Sequence, residues 1–256
     1  MMNEEATDLV WRSIELVNEG AALIESGNLR YASVVLRSAL QVSKRCLVEV
    51  RNSNDAEMDT SSSPEGANFG IDQYMASTME GVTADTDKDV GFSSASLSEQ
   101  PIKITNFSMP SGEGTEGNAF VTMVCTVAVF NLALSSHLDA LSYPMSCQDE
   151  KRTRMLQATK LYESIFKLQE GNMHLDSAFF LLTCLNNLGN LHQELEQQDR
   201  ATACFNQLTS LLMFLIEQRS ICDRPTFIHY EQYLACFFRS VSKVIFPNAT
   251  IVASAA

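Results

Sequence analysis

The sequence has few basic residues for its length. Its 256 residues include 18 Lys and Arg against 31 Asp and Glu, which leaves a net charge of −13 at neutral pH. Nucleic-acid affinity comes largely from Lys and Arg that neutralise phosphates, and basic clusters also carry binding to anionic lipid. The charge balance therefore excludes nucleic acid as the expected partner, and it argues against a membrane surface.

Short motifs that mark common active sites and cofactor sites are also missing. The sequence contains no HExxH and no GxSxG, and its closely spaced glycines at 112, 114 and 117 lie in an acidic stretch without a following Lys and Ser or Thr. The four histidines are scattered, with no Cys and His at the spacing of a zinc site. We therefore expect no enzyme, no metal and no cofactor.

The seven cysteines form no CxxC pair, and their number is odd. Most of them lie within apolar helical stretches, where a free thiol behaves as a small buried hydrophobic group. The chain begins with MMNEEATD, which is acidic where a secretory signal is basic. We expect a cytoplasmic or other reducing intracellular location.

Residues 52–118 separate two helical regions, 8–51 and 119–246, and a tail follows at 247–256. This insertion holds twelve acidic and two basic residues, so its charge is −10 and the rest of the chain carries only −3. Mixed Ser, Thr, Gly and Asp runs bury too little apolar surface to offset the entropy of ordering, so the composition predicts that most of the insertion is disordered.

One short part of the insertion has a different pattern. Residues 101–107, PIKITNF, alternate apolar and polar side chains. This alternation is typical of an extended strand, which could dock along the helical body. A stray apolar patch in a loop fits the same pattern equally well.

Apolar residues in the two helical regions recur with the 3.6-residue period of an α-helix. In the first helix they lie on one face at Val10, Ile14, Val17, Ala21 and Ile24. Gly27 and Asn28 then predict the end of that helix. No strand-like runs or hairpin dipeptides punctuate these regions, so we predict an all-α fold.

Two helix pairs share the same spacing of small and large residues. In the first pair the positions are Leu16, Gly20, Ala32, Leu36 and Ala39, and in the last pair they are Leu185, Gly189, Ala201, Phe205 and Leu208. The segments NEGAALIESGNLRYASVVLRSAL and NNLGNLHQELEQQDRATACFNQL resemble the tetratricopeptide repeat. This resemblance implies antiparallel helix pairs stacked as a short α-solenoid, which the insertion interrupts. A generic antiparallel helical bundle is the alternative.

A middle unit matches the spacing less well. Val129 and Ala133 occupy the first-helix positions, but the next small residue, Ala158, follows 25 residues after Ala133 instead of 12. We expect about thirteen extra residues, near 143–155, to lengthen the turn. The apolar residues between 230 and 244 are expected to form a C-terminal capping helix.

The resemblance implies a non-catalytic interaction scaffold or adaptor, in which the first helices line a concave groove for a protein or peptide partner. Amide side chains suit such a groove because each offers donors and an acceptor to an extended backbone without a charge to desolvate. Helix-surface amides that simply face water are the alternative. The candidate groove residues are Asn131, His137, Asn186, Asn187, Asn190 and Gln193.

Two further hypotheses follow from local composition. Residues 117–138 contain no charged side chain and approach the length of a membrane span, so the alternative function is a membrane-associated helical protein anchored there. Several polar residues interrupt this segment, which favours a buried helix. Separately, the acidic insertion could lie across the groove near the basic cluster of Lys151, Arg152 and Arg154 and occlude it.

Overall fold

The computed structural model describes residues 4–55, 100–105, 115–144, 147–168, 178–219 and 237. Six α-helices and no strand are found within these ranges, which confirms the all-α prediction. In chain order the helices are α1 (Glu4–Glu25), α2 (Leu29–Asp55), α3 (Thr115–Ser142), α4 (Gln148–Leu168), α5 (Ala178–Glu194) and α6 (Gln198–Arg219). The C-terminal capping helix lies outside the described residues except at position 237, and the tail lies wholly outside them.

The chain divides into two compact units. The first contains α1 to α4 together with residues 101–105, and the second contains α5 and α6. In the first unit α2 packs against both α1 and α3, α3 packs against α4, and α1 also contacts α3. In the second unit α5 packs against α6.

Consecutive helices of the first unit run antiparallel. Ser13 of α1 hydrogen-bonds Ser43 of α2, whereas Gly20, further along α1, lies against Leu36, which comes earlier in α2. The same crossed order holds between α3 and α4. The ring of Phe130 meets Tyr162 edge-on at 5.9 Å, whereas Asp139, further along α3, pairs with Arg154, which comes earlier in α4. Helices joined by short turns fold back in this way because their apolar stripes then bury each other.

Helix α3 forms the centre of the first unit. Its large side chains Phe120, Phe130 and Leu134 are fully buried, and so are many of its smaller ones. It contacts three other helices. A helix surrounded on most sides needs apolar residues around its whole circumference, which explains why α3 lacks the one-sided pattern of α1.

At its C-terminal end α3 forms ion pairs with α2 and α4. Asp139 is buried, and its carboxylate oxygens lie 3.9 Å from Nε of Arg30 on α2 and 3.4 Å from Nε of Arg154 on α4. Arg30 also donates to the hydroxyl of Tyr143 at 3.3 Å. Arg154 of the basic cluster is thus paired within the helical body.

The turns of the α1–α2 and α5–α6 pairs have the same hydrogen bonds. After α1, the N–H of Gly27 donates to the carbonyl of Ile24 at 2.9 Å and the N–H of Asn28 to that of Leu23 at 2.8 Å. After α5, the corresponding bonds run from Glu196 to Gln193 at 2.9 Å and from Gln197 to His192 at 2.8 Å. Both are Schellman turns, which require one residue in the left-handed conformation. Gly27 supplies it with φ 76°, and Glu196 with φ 60°.

Substitutions at the left-handed residues of the two turns should change the free energy of unfolding in opposite directions. An L-residue in the left-handed region costs about 1 kcal/mol or more. A Cβ at Gly27 would meet no atom within 4 Å, so the cost there is purely conformational. Gly27→Ala should lower the free energy of unfolding by about 1 kcal/mol, and Glu196→Gly should raise it by about 0.5–1 kcal/mol. Denaturant unfolding followed by circular dichroism measures both.

Glu196→Ala is the matched control for this pair. It removes the same carboxylate but keeps an L-residue at φ 60°, so it should give none of the gain expected of glycine. Equal stabilisation by Ala and Gly would mean that the side chain, not the backbone conformation, limits stability at this turn.

The expected long turn between α3 and α4 is wrong. Only residues 143–147 connect the two helices, and 148–155 form the first two turns of α4. The residues of these two helical turns are mostly exposed and polar, so the sequence shows no periodic pattern of apolar residues there. Asp149 and Glu150 stabilise the start of α4, because carboxylates are favoured at the positive end of a helix dipole.

The predicted insertion begins and ends within helices. Helix α2 continues to Asp55 and α3 already starts at Thr115, so the helices extend a few residues into the range 52–118. Of the residues between these helices, the structure describes 100–105. Residues 101–105 belong to the first unit, in which Ile102 and Ile104 are buried. The predicted disorder of the rest lies outside the described residues.

Candidate functional site

Residues Pro101–Thr105 lie within the first unit and form neither helix nor strand, and we call them the docked segment. Asn18 of α1 and Asn131 of α3 hold this segment by its backbone, and we call these two residues the asparagine clamp. The docked segment thereby bridges the first helices of two consecutive helix pairs.

Each clamp residue makes two hydrogen bonds to a single residue of the docked segment. Asn131 accepts from the N–H of Ile102 at 2.8 Å and donates from Nδ2 to the carbonyl of the same residue at 2.7 Å. Asn18 accepts from the N–H of Ile104 at 2.8 Å and donates to its carbonyl at 2.9 Å. An amide can do this because it carries an acceptor and two donors on one planar group.

The spacing of the clamp fits an extended chain. Ile104 follows Ile102 by two positions, and two positions are the repeat of an extended backbone, about 6.6 Å. Asn131 is fully buried and Asn18 is partly buried, so these bonds are sheltered from water. Unmade hydrogen bonds at such positions cost about 1–3 kcal/mol per group, so the clamp favours an occupied groove.

In the docked segment, buried isoleucine side chains flank a lysine that forms an ion pair. Ile102 and Ile104 are 4% and 2% exposed. Between them, Nζ of Lys103 lies 2.6 Å from Oε2 of Glu25 at the end of α1. The groove therefore contacts the segment in two ways, by its backbone through the clamp and by its side chains through apolar burial and one ion pair.

Sequence analysis identified Asn131 as a candidate but missed Asn18. The repeat spacing could have found it. Asn18, Asn131 and Asn187 each lie two residues after the first marker position of their unit, which is Leu16, Val129 or Leu185.

The other candidates on α5 lie in the second unit. Asn186 and Asn187 are buried, and Asn190 and Gln193 are half-buried. The Oδ1 of Asn186 has no hydrogen-bond partner among the described residues. The structure places these four side chains on one helix, α5.

His137 lies on α3, six residues beyond Asn131, and is 8% exposed. Burial lowers the pKa of its imidazole to about 4, because the charged form loses its hydration there. The side chain is therefore neutral at neutral pH. It lies within the helical body instead of presenting a cation to a partner.

The thiols of Cys46, Cys125 and Cys184 are protonated at neutral pH. Burial raises the pKa of Cys46 to about 12, and it also raises the pKa values of Cys125 and Cys184. A nucleophilic cysteine needs a lowered pKa, so these environments oppose thiolate chemistry. Within the described ranges no group of three or more His, Cys, Asp or Glu side chains is placed to hold a metal ion.

Helix α3 is also long and apolar enough to cross a membrane between Gly117 and Ser142. In the folded chain, however, 83% of its most apolar window is buried inside the protein. Its polar side chains reach other elements: Asn131 bonds the docked segment, and Ser135 donates to the carbonyl of Leu29 on α2 at 2.7 Å.

Comparison of the chain with protein-family models, with curated proteins and with solved structures found no match.

Proposed function

We propose that this protein is a non-catalytic interaction scaffold or adaptor, built as a tetratricopeptide-like helical repeat, that binds an extended segment of a partner protein along its first helices. The asparagine clamp is the observation that carries the proposal. Its four hydrogen bonds go only to backbone N–H and C=O groups, which every non-proline segment offers. Recognition of an extended segment by its backbone, with pockets for alternate side chains, is a recurring mode of peptide binding.

Three local features support the repeat interpretation. The turns of the α1–α2 and α5–α6 pairs have the same hydrogen bonds. In each pair a glycine of the first helix lies directly against a large residue of the second, Gly20 against Leu36 and Gly189 against Phe205. The three asparagines at equivalent positions extend this likeness to the α3–α4 pair. By this reasoning Asn186, Asn187, Asn190 and Gln193 remain candidates for contact with a longer partner segment.

The membrane alternative has one observation in its favour, the length and apolar character of α3. The burial of that helix among α1, α2 and α4 favours a core role instead. Polar ties such as those of Asn131 and Asp139 to other elements add to this preference, because they satisfy groups that lipid would leave unpaired.

A peptide-binding experiment tests the proposed function. The probe is a fluorescein-labelled peptide, QPIKITNF, with the sequence of residues 100–107. The receptor is the full chain with Ile102→Asp and Ile104→Asp, which removes the apolar anchors of the docked segment and which we call the vacated chain. We expect saturable binding by fluorescence anisotropy. Adding Asn131→Ala or Asn18→Ala should weaken it about 10- to 30-fold, since each loses two hydrogen bonds of about 1 kcal/mol.

Two controls keep this test specific. A peptide with both isoleucines replaced by aspartate, QPDKDTNF, should not bind. Asn206→Ala in the vacated chain removes an exposed amide of α6 and should leave the affinity for this short probe within about twofold. A folded vacated chain that shows no saturable binding, or binding that is indifferent to both clamp residues, would contradict the proposed function.

A further inference from the structure

The groove between α1 and α3 is filled by the chain itself, and the filling segment specifies what else can bind there. We propose that the groove recognises an extended aliphatic–basic–aliphatic segment of a partner protein, and that the docked segment is an internal ligand which this partner must displace. The inference rests on the proposed function and adds to it the chemistry of the partner and the means of regulation.

The backbone contacts alone do not select a sequence, but they set one restriction. Asn131 and Asn18 each accept a hydrogen bond from an N–H, at positions 102 and 104. Proline has no N–H, so it is excluded at the two clamped positions of a partner. Position 101 of the docked segment is a proline, which is compatible because no clamp bond is made there.

Selectivity comes from the side chains of the docked segment. Both isoleucines are almost fully buried, so a partner must bring two aliphatic side chains separated by one residue. The middle residue lies beside Glu25, whose carboxylate accepts from Lys103 at 2.6 Å. A basic residue is therefore favoured at the middle position, and an acidic one is repelled. Because both partners of this ion pair are partly exposed, its contribution is modest.

The tether makes the docked segment a strong competitor. Only nine residues, 106–114, connect it to the start of α3. A ligand joined to its site by so few residues is held at an effective concentration of about 1 mM. The apparent Kd of a partner segment added in trans is then multiplied by a factor. This factor is one plus the ratio of the effective concentration to the Kd of the internal segment. For an internal Kd of about 0.1 mM the factor is about ten.

The first experiment compares the intact chain with the vacated chain, using the QPIKITNF probe and anisotropy. We expect the vacated chain to bind about tenfold more tightly. If the vacated chain binds and the intact chain binds equally well, the internal-ligand inference is wrong while the proposed function survives. If a folded vacated chain does not bind, both are wrong.

A milder variant covers the case in which aspartate at 102 and 104 unfolds the chain, which circular dichroism would reveal. Lys103→Glu leaves both isoleucines in place and sets two carboxylates side by side, so it should weaken the docked segment selectively. The Lys103→Glu chain should bind the probe about fivefold more tightly than the intact chain does. An unchanged affinity would overturn the inference, because the docked segment would then be a fixed part of the core.

A charge exchange tests the partner chemistry. The vacated chain should prefer QPIKITNF to QPIEITNF by about fivefold, and Glu25→Lys in the same chain should reverse the preference. Identical preferences with Glu and Lys at position 25 would contradict the basic middle position.

Sedimentation of the intact chain tests whether the docked segment binds within one molecule. A dimer that disappears in the vacated chain would mean that the segment is exchanged between two copies, and the internal assignment would be wrong.

Discussion

Gly20→Val is expected to lower the free energy of unfolding by about 3 kcal/mol, with no loss of side-chain contacts to explain it. A Cβ at Gly20 would lie 2.5 Å from Cγ and 2.6 Å from Cδ2 of Leu36, which is fully buried. The branch point of a packed leucine cannot move aside freely, so overpacking costs about 1–3 kcal/mol or more, and valine adds two further methyl groups. The gain in helix propensity over glycine is below about 1 kcal/mol and does not offset this.

The controls for Gly20 separate packing from backbone effects. Glu19→Val introduces the same side chain at the adjacent exposed position and should change stability by about 0.5 kcal/mol or less. In a double-mutant cycle, Gly20→Ala and Leu36→Ala together should cost at least 1 kcal/mol less than the sum of the single costs, because the added methyl group fills space left by leucine. Strict additivity would contradict the close approach of α1 and α2 at this point.

Stability is expected to fall by about 2 kcal/mol between pH 7 and pH 4.5 because of His137 alone. Burial lowers the pKa of this imidazole from 6.5 to about 4. Between these two values the unfolded chain binds a proton that the folded chain does not, so protons favour unfolding. The loss begins as the pH drops below 6.5 and is complete below about pH 4, and above pH 7 this histidine contributes no pH dependence.

The measurement for His137 is the difference in pH dependence between the wild-type chain and His137→Gln. Denaturant unfolding at several pH values gives both curves. Carboxylates titrate in the same range, but they are common to both chains and cancel in the difference. The variant should therefore lose about 2 kcal/mol less than the wild type on going from pH 7 to pH 4.5. Parallel curves would mean that His137 is hydrated in the folded chain.

The parts of the fold that sequence could predict are those with a strong period. The one-sided stripe of α1 and its end at Gly27 were readable because each apolar residue faces one neighbour. The first turns of α4 were not readable, since they are exposed and held by the helix backbone and charge at its N-terminus. The left-handed turn residue Glu196 was also unreadable, because nothing in a glutamate signals positive φ.

The candidate site was predictable only where it depends on local sequence pattern. The alternation of residues 101–107 was visible in the sequence, and Asn131 was a candidate because the resemblance to the tetratricopeptide repeat implies a groove lined by the first helices. What could not be read was which helices the segment meets, because Ile102 and Asn131 are 29 positions apart in the sequence and Asn18 and Ile104 are 86 positions apart. Contacts over such distances depend on packing, not on local pattern.

The idea that charge holds the insertion across the groove needs revision for the part that the structure describes. The docked segment meets the helical body through backbone amides, two isoleucines and the Lys103–Glu25 pair, in which the insertion supplies the positive charge. Arg154, a member of the basic cluster, pairs with Asp139 instead. The acidic runs of the insertion lie outside the described residues, so their role stays a hypothesis.

Amide hydrogen exchange of Ile102 and Ile104 tests the central claim, that the asparagine clamp holds an exchangeable peptide. In the intact chain both N–H groups are bonded to asparagine Oδ1 atoms and should exchange slowly. Saturating QPIKITNF should release the docked segment and speed exchange at these two amides at least tenfold, while the amides of Val17 and Leu36 keep their protection. Unchanged protection at 102 and 104 under saturating peptide would contradict the account.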